Sequence, residues 1–263
     1  MNLAGVRRRA AGWLPAVVVF VIVLVLWETT LTVFQVQSFL FPRPSVIVAA
    51  LIDDRATLWK GVLFTGTEAL GGLVVGVFLG TVAGLATARW ATAREILVPV
   101  AIGASSIPIL AFAPITINWF GAESVLPRMT IAALMVFFPV MVNTVRGLTQ
   151  VEPAALELMR SYAAGDMEIL RRLRIPNALP YWFTALRIAT TLSVIGAVVG
   201  EFFGGPLYSL GIYITYYTGQ FKYPTAWAAI VLSCALGIAC YLGAVVAERF
   251  ALPWHQARLA GES

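Results

Sequence analysis

Six stretches of about twenty residues run almost free of charge along this 263-residue chain, and no other feature limits its folding so severely. They lie near Trp13–Val33, Gly61–Ala88, Ile96–Phe120, Val125–Leu148, Tyr181–Phe203 and Ala226–Ala247. An apolar helix of about 20 residues matches the hydrocarbon core of a bilayer, where each backbone polar group must be bonded internally. Hydrophobic residues make up 60% of the chain and charged ones 12%, about half the ~25% charge of a soluble domain. A water-soluble globule has no way to hide that much apolar surface. The expected fold is therefore all-α, a polytopic membrane protein of six transmembrane helices forming one domain over residues 1–263.

The net charge of +5 would suit a nucleic-acid binder, but its distribution argues against one. The basic residues cluster at the ends of the apolar runs, where the positive-inside rule places them. With Arg7, Arg8 and Arg9 in the cytoplasm, that side also receives Arg89, Arg94, Arg146, Arg160, Arg171, Arg172, Arg174, Arg249 and Arg258, twelve in all. The opposite side receives five: Arg43, Arg55, Lys60, Arg128 and Lys222. Both termini are thus expected in the cytoplasm of a cell whose plasma (inner) membrane holds the protein. Arg7–Arg9 precede a run long enough to span and lacking a small-residue cleavage site, so it reads as a first membrane helix rather than a signal peptide. Cys234 and Cys240, six positions apart on one predicted helix, face different ways and read as packing residues.

Within the spans, Gly71, Gly72, Gly76, Gly80 and Gly84 recur at about one helical turn, a pattern that lets a neighbouring helix approach closely. Pro99, Pro108 and Pro114 interrupt the third span. Carbonyls freed at membrane depth must face protein or a water-filled cavity, so this span is either a pathway wall or a packing kink. Between the first two spans, Ser45 is placed to cap a short interfacial helix over Val46–Asp53.

The longest polar interruption is VEPAALELMRSYAAGDMEILRRLRIPNALP, Val151 to Pro180. Pro153 suits a first helical position, Gly165 a helix stop, and Asp166 the cap of a second helix ending before Pro176. Two short helices meeting at a bend are expected. On the first, Leu156, Met159 and Ala163 share an apolar face for lipid or another protein, with Glu157 and Arg160 pointing elsewhere.

This segment resembles the cytoplasmic signature loop of binding-protein-dependent ABC importer permeases, a pattern of Glu-Ala-Ala, three residues, Gly, nine residues, Ile, one residue and Leu-Pro. Glu157 and Pro176 match it; Leu158 and Met159 replace the alanines, Ala163 the glycine, Leu173 the isoleucine and Ile175 the leucine. The stretches LELMRSYAAG, IPNALPYWFTALRIA, AFAPITINWFG and GEFFGG resemble the nitrate, sulfonate, taurine and thiamine-precursor branch, with likeness from Pro42 to Arg249. The resemblance implies a type I importer permease, with an ATPase-coupling segment at Glu157, Leu158, Met159, Arg160, Ala163, Gly165, Leu173, Ile175 and Pro176. Its implied partners are ABC ATPase subunits, an extracytoplasmic solute-binding protein, a second permease copy and membrane lipid, with no nucleic acid. ATP and Mg would be bound by the ATPase, since the chain has no phosphate-binding G-x-x-x-x-G-K-[ST] motif. No cofactor, metal or catalytic residue is expected on this chain; its one histidine, His255, lies in the C-terminal tail.

Charges at membrane depth are functional suspects. Glu201, followed by Phe202, Phe203, Gly204 and Gly205, could line the pathway or serve structure, and Pro108, Pro114, Asn118 and Trp119 complete the pathway candidates. Glu28, Glu68 and Arg187 are expected to snorkel to an interface. Tyr208, Tyr213, Tyr216, Tyr217 and Tyr223 would form either a docking surface or an aromatic belt. The expected cargo is a small organic solute, a heterocyclic vitamin precursor more than a sulfonate or nitrate-like anion. The rival reading is an ion-gradient-driven secondary transporter, which calls for paired broken helices; only one broken span is evident.

Overall fold

A computed structural model describes residues 3–253. Its long helices are α1 (Leu3–Val33), α3 (Arg55–Arg89), α6 (Leu126–Thr149), α9 (Ile175–Glu201) and α11 (Tyr223–Ala251). Shorter ones are α2 (Pro44–Asp53), α4 (Ala91–Ala104), α5 (Ala113–Phe120), α7 (Pro153–Ser161), α8 (Asp166–Ile169) and α10 (Leu210–Gly219). With 35 residues at about 1.5 Å each, α3 is far longer than the ~30 Å hydrocarbon core.

The centre of the bundle is α6, packed along α3 on one side and α9 on the other. The glycines of α3 make the first contact possible: a Cβ on Gly76 would lie 2.6 Å from the Ala133 carbonyl, and one on Gly80 would lie 2.7 Å from that of Phe137. Four of these glycines face the residue sixty positions later, pairing Gly72 with Ala132, Gly76 with Val136, Gly80 with Val140 and Gly84 with Thr144. A constant offset means that the two helices run parallel. Against α9 the order reverses, with Gly147 on Ala178, Gly196 on Ala132 and Gly200 on Arg128. Small residues at these crossings replace the hydrophobic driving force that lipid cannot supply.

Because α3 and α6 are parallel, the chain between them must cross the membrane in return. That crossing is the pair α4 and α5, bent by 79° around Ser105–Pro108 and a 3-10 turn at Ile109–Phe112. The expected third span is therefore broken at one proline only. Pro108 excludes Ile107 from helical backbone, whereas Pro114 falls in the first turn of α5, where its missing N–H costs nothing. Pro99 stays inside α4. The five long helices plus this pair make six crossings.

Three other expectations are corrected. Pro44, not Val46, opens α2, and Ser45 is no cap; its N–H and hydroxyl instead donate to the Glu28 carboxylate at 3.0 and 2.7 Å. Glu28 thus holds the first turn of α2 instead of snorkelling free, and its contacts keep its carboxyl tied to the next element. The loop after α9 contains a helix, α10, whose Tyr213 is buried with Ile47, Leu58 and Leu210 and so serves the core, while Tyr208 and Tyr216 stay exposed. Trp27, Phe41 and Trp227 stack at centroid distances of 5.3–5.5 Å and pin the end of α1 to the start of α11. Elsewhere α1 leaves Val17 to Val23 and Leu26 exposed, a face for lipid. Cys234 is exposed and Cys240 half-buried against Ala69, Val194 and Ala197, both as free thiols.

Candidate functional site

Outside the membrane the chain forms a helical hairpin at the end of the bundle where α3 and α6 finish. Asn177, in the first turn of α9, donates from its side-chain amide to the carbonyls of Gly147 and Gln150 at 2.8 and 3.0 Å. The end of α6 is thereby held to the start of α9, and the hairpin projects between them. α7 starts at Pro153 and stops in a Schellman turn, with Ala163 N–H donating to Arg160 and Ala164 N–H to Met159. That closure places Ala163 at φ +55°, left-handed backbone that favours glycine.

The stop expected at Gly165 therefore occurs two residues earlier, at the position where the signature pattern has glycine. Gly165 itself is extended, at φ −71° and ψ 162°, and precedes α8. Nor does the second helix end before Pro176. It continues through a π turn, Leu170–Arg174, into α9. The turn resets the register so that Pro176 falls in the first turn of α9, where no donor is needed.

The faces of α7 also differ from expectation. Leu156 and Met159 are half-buried, with Leu156 turned toward Leu85, Ala88 and Leu148 at the ends of α3 and α6. The outward face carries Glu157, Leu158, Ser161 and Tyr162, of which Leu158 is 58% and Tyr162 79% exposed, while Arg160 lines the cavity behind α7. An exposed leucine and tyrosine around a carboxylate form a surface suited to a protein groove. Leu173 is half-buried, and Ile175 and Pro176 are exposed at the root of the hairpin.

At the far end of the bundle, Glu68 and Glu201 are fully buried, and neither snorkels nor faces an opening. Arg128, counted among the basic residues of the outer side, is buried with them. Its Nε donates to Glu68, one Nη donates to the carbonyls of Ala122 and Gly204 at 2.9 Å, and the other donates to that of Ser124 at 2.6 Å. Glu201 accepts from the Thr65 hydroxyl at 2.7 Å and from Gly211 N–H at 2.6 Å, while Leu210 N–H donates to Thr65. This network ties α3, α6, α9, α10 and two loops together. Spacing gave no hint of it; the one sequence signal was the presence of charged residues at membrane depth. Arg187 pairs at 3.3 Å with Glu248 of α11 instead of reaching an interface alone.

The remaining pathway candidates stay at the surface. Pro108, Pro114, Asn118 and Trp119 are exposed along the broken span, and Phe202 is exposed beside a 630 Å³ apolar cleft between α9 and α11 that also includes Cys234 and Tyr241. The broken span and the cleft are not brought into one cavity within this chain.

Up to six membrane-crossing segments, one of them broken, with a helical hairpin at one end of the bundle are the architecture of a polytopic membrane protein. The chain belongs to the family of binding-protein-dependent transport system inner membrane components, which matches residues 72–251. It is similar to the formylaminopyrimidine transport permease protein ThiX of Halalkalibacterium halodurans, 31% identical over 95% of this chain and 99% of that protein. The riboflavin transport system permease protein RibX of Chloroflexus aurantiacus is 29% identical, over 90% and 88% of the two chains. The taurine permease TauC of Escherichia coli is 25% identical, over 89% and 87%. In fold, the chain is similar to a chain of an amino acid ABC transporter solved with histidines, at a TM-score of 0.58 and 14% identity, over 77% of this chain and 95% of that one. The protein is thus a multi-pass membrane permease component of an ABC transport system.

Proposed function

We propose that this chain pairs with a second copy to form the translocation pathway of an importer, driven by ABC ATPase subunits that seat the outward face of α7. Glu157, Leu158 and Tyr162 make the contact, and the hairpin passes the motion into α6 and α9 through Asn177. ATP and Mg reside on the ATPase, and a solute-binding protein delivers cargo at the opposite face. The observation that carries this reading is the exposed side chains of Leu158 and Tyr162 on a helix whose hairpin is tied to α6 through Asn177. The α7 side is cytoplasmic. By sequence, twelve basic residues lie on it, and burial of Arg128 leaves Arg43, Arg55, Lys60 and Lys222 opposite.

The cargo is a small heterocycle of the formylaminopyrimidine or riboflavin kind, because those permeases have higher identity to this chain than the taurine permease does. Proteoliposomes holding the permease with and without its ATPase test the mechanism. ATP-dependent uptake that requires both is the expected result, and ion-driven uptake by the permease alone would refute it. Uptake of labelled formylaminopyrimidine, riboflavin and taurine, each with its cognate binding protein, tests the cargo.

A further inference from the structure

Behind α7, the hairpin encloses a cavity of about 320 Å³ whose wall has two characters. Leu85, Leu148, Leu156, Ile169 and Leu170 make it apolar, while Arg89, Arg160 and Arg174 make it basic, with Asp166 as its acidic group among the described residues. The three guanidiniums arrive from separate elements: the last residue of α3, the last turn of α7 and the π turn. Among the described residues the ion pairs are Arg128–Glu68, Arg172–Glu168 and Arg187–Glu248, so none of the three cavity arginines is in direct contact with a carboxylate. Three guanidiniums and one carboxylate leave the cavity wall net positive, a charge that a bound anion would balance. Each guanidinium offers five donors in a planar fork suited to phosphate oxygens.

The level of the cavity and its approach identify the anion. Arg89 is the last residue of α3 and Leu148 lies one residue from the end of α6, so the cavity sits at the α7 end of the bundle, the side on which anionic headgroups attract basic residues. Below Arg89, α3 leaves Val74, Phe78, Val82 and Leu85 exposed at spacings of three and four, one continuous apolar stripe leading up to the guanidinium. A soluble phosphate would have no use for such a stripe. We propose that the cavity binds an anionic phospholipid, its phosphate among Arg89, Arg160 and Arg174 and an acyl chain along the α3 stripe. The site is independent of which protein covers the outward face of α7.

Native mass spectrometry of the intact transport complex tests this, with phosphatidylglycerol, phosphatidylcholine or inorganic phosphate added in turn. Phosphatidylglycerol should be retained and phosphatidylcholine not. Arg89→Gln combined with Arg174→Gln should lower phosphatidylglycerol retention about thirtyfold. The corresponding pair of Arg→Lys changes should keep most of it, which separates lost charge from lost fold. Arg94→Gln, outside the cavity, should leave retention as in the parent. Equal retention of the two lipids, a double Gln variant no weaker than Arg94→Gln, or displacement of the lipid by millimolar inorganic phosphate would each overturn the proposal.

Discussion

Glu68 and Arg128 occupy the first rung of the ladder that joins α3 to α6. They are sixty positions apart, the same offset that pairs Gly76 with Val136 and Gly80 with Val140. The charges and the glycines are therefore parts of one helix–helix interface. Small residues bring the backbones together along most of its length, and an ion pair closes its end. With less than 2% exposure on either side chain, the pair has no water to replace a missing partner.

Removing one member should therefore be severe. Glu68→Leu should cost about 3–5 kcal/mol by leaving the guanidinium uncompensated. Arg128→Met should cost more, since three carbonyls also lose their donor. Thermal melting in detergent checks this, and the double variant Glu68→Leu/Arg128→Met should melt above Arg128→Met alone.

The ladder itself can be tested at its middle. Gly76→Ala would drive a methyl group against the Ala133 carbonyl and Val136 Cβ, at 2.6 and 2.7 Å, and should cost about 1–3 kcal/mol. Gly103→Ala, where nothing lies within 4 Å, should instead be neutral or gain up to about 1 kcal/mol. The same melts distinguish the two.

Ala163→Gly should stabilise the hairpin by about 1 kcal/mol, because the residue sits at φ +55°. Limited proteolysis around 161–165 should slow. Gly165→Ala, at negative φ and in open space, should change little.

Leu158→Asp and Tyr162→Asp alter exposed side chains and should shift stability by no more than about 0.5 kcal/mol. Both should abolish copurification of the ATPase and ATP-driven uptake. Leu156→Asp, on the inward face, should instead lower the melting temperature, so the two faces separate coupling from folding.

Much of this was legible in the chain. Length and apolarity sufficed for six crossings, because hydrocarbon admits one solution for an isolated segment. The glycine period announced a close helix contact, and Glu157 to Pro176 marked the hairpin. The end of α7 was misplaced because Gly165 is the one glycine between Val151 and Pro180, while the carbonyls of Met159 and Arg160 required donors one and two residues earlier, at Ala164 and Ala163. The buried network was missed because Glu68, Arg128 and Glu201 are distant in sequence and each one alone resembles an interfacial charge. α10 was missed because its ten residues after Ser209, mostly apolar or aromatic, are too short to register as a span.

By itself, then, the sequence determined which segments lie in the membrane and which one leaves it, since both follow from local transfer energies and local backbone rules. The tertiary structure decided which charge meets which, which face of α7 is free, and that α3 and α6 run parallel. Those depend on register between helices, a relation that belongs to no single segment and is settled only when small residues, carbonyls and buried charges find partners together.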